Sequence, residues 1–343
     1  LKDLSEYRLL FAGLNLILLA VVLVNLSLGS VSIPIDKVFM ILLRDAAEDE
    51  NWKYIVLNYR LPKVFVAMFV GCGLSVSGLM MQTLFRNPMA GPYVLGISSG
   101  AGLGVALLLM GSAVFGGVVG FVAESSLGLV LAASLGGFLV MLAVLSMSVR
   151  VKDTLSLLII GLMFSSLAGA LVSVLAFFAP AASLQKYLFW SLGSLGNISW
   201  NNLFIFAGIM FVALFLSVLK IKTLNAMLLG DRYAQSMGVN LKGNRLSILI
   251  ATCLLAGTIT AFVGPIAFIG LAVPHLTRLL FKTADHRMLL PAVGLVGAIL
   301  MVICDSIAQL PGSELVLPIN AVTSLIGAPV VIWLLVRKKR IYL

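Results

Sequence analysis

Residues 154–185 read TLSLLIIGLMFSSLAGALVSVLAFFAPAASLQ, without one charged side chain. About 20 apolar residues in succession let a helix cross a bilayer, and core helices of soluble proteins are shorter. Working outward, residues 9–28, 64–85, 87–123, 125–149, 187–219, 246–277 and 315–336 meet the same test, and a shorter run, 288–304, continues through Asp305. Hydrophobic residues make up 61% of the 343-residue chain and charged residues 10%. A soluble domain has about 45–50% and about 25%. The solvent of this chain is therefore lipid, and the expected fold class is an all-α polytopic membrane protein. The run at 9–28 reads as a retained helix, because the apolar core of a cleaved signal is shorter.

Several runs are too long for one crossing. Gly264-Pro265 splits 246–277, since proline removes a backbone donor and breaks or kinks a helix. The charged hairpin 150–153 separates two others. Ten crossings result, starting near residues 9, 64, 93, 125, 154, 201, 246, 267, 288 and 317. Ten crossings leave both termini on one side. That side then holds 17 of the 23 Lys and Arg, and the other side holds 6. The positive-inside rule makes the richer side cytoplasmic. The net charge of +10 is thus an orientation label and not the mark of a nucleic-acid partner.

Reactive constellations are scarce. Cys72, Cys253 and Cys304 sit in apolar runs with no CxxC and no His nearby, which suits small apolar filler and leaves no metal site. Gly-Lys never occurs, so the chain has no GxxxxGK[ST] phosphate cradle. Asp305, near the outer end of its run, is the main intramembrane acid and reads as a capped or water-reached structural acid. Gly100-x-x-x-Gly104, Gly116-x-x-x-Gly120 and the cluster Gly71, Gly73, Ser77, Gly78 point to close helix packing.

Between the sixth and seventh crossings, Leu224, Met227 and Leu228 recur at helical spacing, Gly230 breaks the run, Ala234 and Met237 continue it, and Gly238 can cap it. Two short amphipathic helices on the cytoplasmic face follow. The pattern fits either a surface helix dipping into lipid or a knob seated in a groove of a soluble partner.

Ordered motifs now accumulate: Arg60-Leu-Pro-Lys63, Ser77-Gly78, Gln82, Asn87-Pro-Met-Ala90, LGISSGAG at 95–102, LGDRYAQSMG at 229–238, FIGLAVPH at 268–275, Asp285-His-Arg287 and LIGAP at 325–329. Over almost the whole chain this order resembles the permease subunits of bacterial ATP-binding-cassette importers for iron-siderophores, haem and cobalamin, which carry ten helices per subunit. The resemblance implies one permease domain over residues 1–343, in the bacterial cytoplasmic (inner) membrane. It implies a homodimer, two ATPase subunits and a periplasmic substrate-binding protein. No cofactor is held by this chain; ATP and magnesium belong to the ATPase.

Site residues follow by the same resemblance. Residues 223–238 become the ATPase-coupling helices, through Leu224, Met227, Leu228, Gly230, Asp231, Arg232, Ala234, Met237 and Gly238. The cytoplasmic gate falls on Asn87 and Met89 and on Asp153 and Thr154. The outer gate region falls on Leu184, Trp190 and Gly193. Arg60 and Lys63 match basic positions that dock the binding protein, and a third such position is here Gln309. The expected activity is import of a bulky metal chelate, an iron-siderophore or haem before cobalamin. Two rivals stand beside it. An ion-coupled secondary transporter needs buried acids at mid-membrane, and a channel-like structural subunit needs an open pore.

Overall fold

The computed structural model describes residues 4–44, 49–115, 125–151, 154–196, 198–310, 313 and 315–336, and among them every regular element is helical. The helices that answer to the ten expected crossings are α1 (Leu4–Ser27), α4 (Leu61–Phe85), α5 (Ile97–Phe115), α6 (Ser126–Arg150), α7 (Thr154–Phe178), α9 (Trp200–Leu219), α12 (Leu241–Val263), α13 (Ile269–Phe281), α14 (His286–Ala308) and α15 (Ile319–Val336). Between them lie α2 (Ile35–Arg44), α3 (Glu50–Ile55), α8 (Ala181–Ser191), α10 (Ile221–Leu228) and α11 (Asp231–Ser236). Among the described residues, seven helical stretches are long and apolar enough to cross a membrane, and three apolar helices are shorter.

The Cα framework divides into two compact units. One comprises residues 1–79, 194–211 and 267–343, the other 80–193 and 212–266. Both α4 and α9 run through the boundary, so neither unit is a contiguous piece of sequence.

In the first unit, α1 packs on α14 through Tyr7, Leu14, Ala292 and Ile299, with Phe281 from the end of α13 in the same cluster. The small-residue cluster of α4 serves its backbone approach: a Cβ at Gly71 would lie 2.1 Å from the carbonyl oxygen of Gly297, and one at Gly78 would lie 1.8 Å from that of Gly270. The outer segment preceding α4 is more regular than its charges suggested. α2 buries Val38 and Ile41 with Leu26, Ile33, Val56 and Val64. Next, α3 passes through a π-turn, Val56–Arg60, straight into α4. Lys37, Arg44, Lys53 and Arg60 interrupt the apolar run here, which hid these helices from an uncharged-run test.

In the second unit, α5 crosses α6 at small residues. A Cβ at Gly104 would sit 2.1 Å from the Ala132 oxygen, and one at Gly136 would sit 2.1 Å from that of Gly100. The other predicted pair, Gly116 and Gly120, lies outside the described residues. The third crossing begins later than expected, because Pro92–Leu95 form a 3-10 turn that Gly96 ends in left-handed conformation.

The break at Gly264-Pro265 is real. α12 ends where Gly264 adopts φ 85° and ψ 177°. Residues 264–268 are irregular before α13 starts. Irregular backbone at membrane depth needs polar partners from the protein. Here the Ala267 amide donates to Asn320 Oδ1 at 3.0 Å and the Gly264 amide to the Thr260 carbonyl at 3.0 Å.

Candidate functional site

The basic pair expected to dock a partner is held inside the chain. The Arg60 guanidinium donates to the carbonyl oxygens of Leu26 at 2.7 Å and Ser27 at 3.1 Å, and also to that of Val31. Arg60 is 8% exposed. Gly29 makes room for it, because a Cβ there would lie 2.8 Å from Arg60 Nη2. Arg60 therefore clamps the connection between α1 and α2. Lys63 pairs with Asp305 at 2.9 Å.

Asp305 is 2% exposed, so of the two expected forms, a capped or a water-reached structural acid, it is the one held by protein partners. Its other oxygen accepts from Asn25 at 3.0 Å and from Gln309 at 2.8 Å. Gln309, standing where the importers resembled above carry a third basic residue, thus gives its amide to a buried carboxylate.

The residues expected to form the outer gate cluster within the second unit. Trp190 and Tyr187, on α8, pack against Ala101, Val105, Ala261 and Phe262. Gly193, at φ 73°, comes up against the break after α12: a Cβ on Gly264 would meet the Trp190 oxygen at 2.7 Å and Gly193 Cα at 3.0 Å. Leu184, one turn into α8, is half-buried. On α7, Ser166, Gly169, Ala170 and Ser173 form one exposed stripe at helical spacing. The two serine hydroxyls turn back onto the carbonyls of Leu162 and Gly169.

The turn expected to form the inner gate follows α4 directly. Asn87 Oδ1 accepts from the Met89 amide at 2.9 Å, and the Ala90 amide donates to the Asn87 carbonyl at 3.0 Å. Asn87 thus forms the turn and Met89 sits exposed on it. Asp153 lies outside the described residues. Thr154 opens α7, and its side chain too lies outside them.

The residues expected to couple to an ATPase separate into two faces. Leu224, Met227 and Ala234 are buried and seat α10 and α11 on the protein. Gly230, at φ 111°, makes the corner between the helices, and Gly238, at φ 82°, ends the second. Leu228, Arg232, Met237 and Gly238 face out. Two residues passed over by the sequence reading complete that face: Leu229 is 64% exposed and Tyr233 51%, beside Met237 at 60%. Their spacing of four, 229, 233 and 237, was available as a signal, but Gly230 interrupts the helical pattern between the first two. Asp231 is held on both sides, by Arg86 at 2.7 Å and Arg245 at 2.6 Å. A cavity of about 630 Å³ opens beside this cluster, lined by Leu84, Val151, Leu157, Arg232, Gln235 and Lys242 among others.

Residues 17–337 match the FecCD transport family. The hemin transport system permease protein HmuU of Yersinia pestis is 36% identical over 336 residues, covering 97% of this chain and 96% of that protein. The vitamin B12 import system permease protein BtuC of Klebsiella pneumoniae is 34% identical over 340 residues, covering 99% and 96%. A solved structure of a transporter assigned to the metal-chelate type of ABC transporters, in an inward-facing conformation, superposes with a TM-score of 0.84 at 30% identity, covering 97% of this chain and 99% of that one. With seven described helices long and apolar enough to cross a membrane and a likeness that runs nearly end to end, the chain belongs to the FecCD transport family and is the multi-pass permease subunit of an ABC importer.

Proposed function

We propose that this permease works as a homodimer in the bacterial cytoplasmic membrane, with both termini cytoplasmic. Two ATP-binding-cassette ATPases bind below it, and a periplasmic binding protein delivers a bulky metal chelate from above. The observation that carries this reading is the outward face of α10 and α11. Leu229, Tyr233 and Met237 stand exposed on or at the ends of helices whose Leu224, Met227 and Ala234 are buried. A helical face of that kind, braced from behind, fits a groove on a soluble subunit.

ATP and magnesium act in the partner, and this chain contributes pathway, gates and coupling. The stripe Ser166, Gly169, Ala170 and Ser173 on α7 is a narrow, weakly polar lining, and Gly169 has open space where a Cβ would be. Such a wall suits a large ligand passed along without tight binding. We rank an iron-siderophore or haem first and cobalamin close behind. The expected 154–178 pathway carries no His, Lys or Arg, so haem would travel without an axial histidine from it.

Proteoliposomes containing the permease, its ATPases and the cognate binding protein test this directly. Binding protein loaded with the transported chelate should raise ATP hydrolysis and drive uptake of that chelate. Failure of ferric siderophore, haem and cobalamin alike to stimulate hydrolysis would overturn the chelate-importer reading.

A further inference from the structure

We propose that Arg86 is a positioning residue that ties the coupling helices to the inner-gate turn, so that a displacement of α11 is delivered to residues 87–90. The proposal rests on the gate and coupling assignments above and adds the link between them.

Arg86 is the residue between the two parts. It follows the last residue of α4 and precedes Asn87. Its guanidinium donates to Asp231 Oδ1 at 2.7 Å and to the Met227 carbonyl at 3.3 Å. The first contact grips the start of α11, and the second grips the last turn of α10, where the helix dipole favours a cation. Asp231 Oδ2 accepts from Arg245, on α12, at 2.6 Å. One carboxylate thus joins the corner of the coupling element to two membrane helices by short, charge-assisted hydrogen bonds.

Backbone geometry argues that the placement of Arg86 is specific. The Asn87 amide bonds the Gln82 carbonyl at 3.2 Å and the Arg86 amide bonds that of Thr83 at 3.3 Å. This pair of bonds closes a helix with a left-handed residue at the position where glycine is favoured. Arg86 occupies it at φ 46°. An unfavourable conformation held by a charged side chain is a common mark of a functional constraint.

Two further features make the contact a transmitter. Beyond Arg86 the turn is stiff, because Asn87 bonds both Met89 and Ala90. On the side of Arg232 and Gln235, α11 borders the cavity rather than packed helix, so it has room to shift. A clip serving stability alone would be buried. Arg86 and Asp231 are each more than a third exposed, where ion pairs contribute little to folding.

The experiment uses the full importer in liposomes, with Cys72, Cys253 and Cys304 replaced by alanine and Met89→Cys as reporter. Maleimide labelling of the reporter is timed with and without ATP, magnesium and vanadate. With Arg86 present, nucleotide should change the labelling rate by about fivefold. With R86Q that change should vanish while the ATPase still co-purifies. R86K should fall between, since it keeps the charge but loses the fork. A nucleotide response in R86Q equal to that of the parent overturns the proposal. So does loss of the ATPase from R86Q, which would make Arg86 a docking or folding residue. No response even with Arg86 in place would remove the gate assignment itself, and the link with it.

Discussion

At the scale of single residues, the glycines separate structural need from tolerance. Gly264 holds φ 85° and ψ 177°, a region that residues with a side chain occupy at a cost of about 1–3 kcal/mol. A Cβ there also meets the Trp190 oxygen at 2.7 Å. Gly169 has neither constraint: a Cβ at that position would find nothing within 4 Å, and the backbone is ordinary helix. Gly264→Ala should therefore lower the thermal midpoint of the purified permease by several degrees, and Gly169→Ala should leave it unchanged or raise it slightly. Scanning fluorimetry of both in one detergent decides the matter. Equal effects would show that the break after α12 is not a required conformation. Gly264-Pro265 was readable in advance because the dipeptide itself is the signal. The fate of Arg60 was not. A cation near a helix start reads the same whether it faces a partner or folds back onto carbonyls about thirty residues away in the chain. Only the folded connection between α1 and α2 shows those carbonyls gathered around the guanidinium. The pairing of Asp305 with Lys63 was hidden for the same reason.

At the scale of elements, the coupling pair illustrates what periodicity can and cannot tell. Helical spacing and Gly230 announced two short helices, and α10 and α11 are there. Spacing alone could not say which apolar side is packed, since Leu224 and Met227 are as apolar as Leu229 and Met237. The structure buries the first two. The two faces should respond differently to substitution. Met227→Ala removes buried volume and should cost the permease about 2–5 kcal/mol of stability. Leu229→Ser with Tyr233→Ser touches only the exposed side and should change stability by about 0.5 kcal/mol or less. The double variant should nevertheless lose its ATPase on co-purification. Retention of the ATPase by that variant would move the docking surface elsewhere. The helices α2 and α3 show the opposite limit. They are amphipathic and charged on one face, so a search for uncharged runs passes over them, although Val38, Ile41 and Val56 follow the helical stripe that packs against Leu26 and Val64.

For the whole molecule, the open question is whether ten segments give ten crossings. α13 has 13 residues. At 1.5 Å per residue it reaches about 20 Å, well short of a hydrocarbon core about 30 Å thick. The preceding five irregular residues lengthen it by less than the roughly 16 Å of a fully extended stretch, since Phe268 turns at φ 66°. The amide bonds of Ala267 to Asn320 and of Gly264 to Thr260 are what such a stretch requires within lipid. Charge makes the same point independently. If α13 failed to cross, Arg278, Lys282 and Arg287 would pass to the outer side, against the bias that orients the rest of the chain. Single cysteines in a cysteine-free chain can read this out with a membrane-impermeant maleimide. Tyr54→Cys, exposed on the outer segment, should react in intact spheroplasts. Tyr233→Cys on the coupling helix and Ala284→Cys just after α13 should react only after permeabilisation. Reaction of Ala284→Cys from outside, with Tyr233→Cys protected, would make α13 a re-entrant helix. The count would then fall to nine and the C-terminus would leave the cytoplasm. Reversal of all three would invert the molecule and place the coupling corner where no ATPase could reach it.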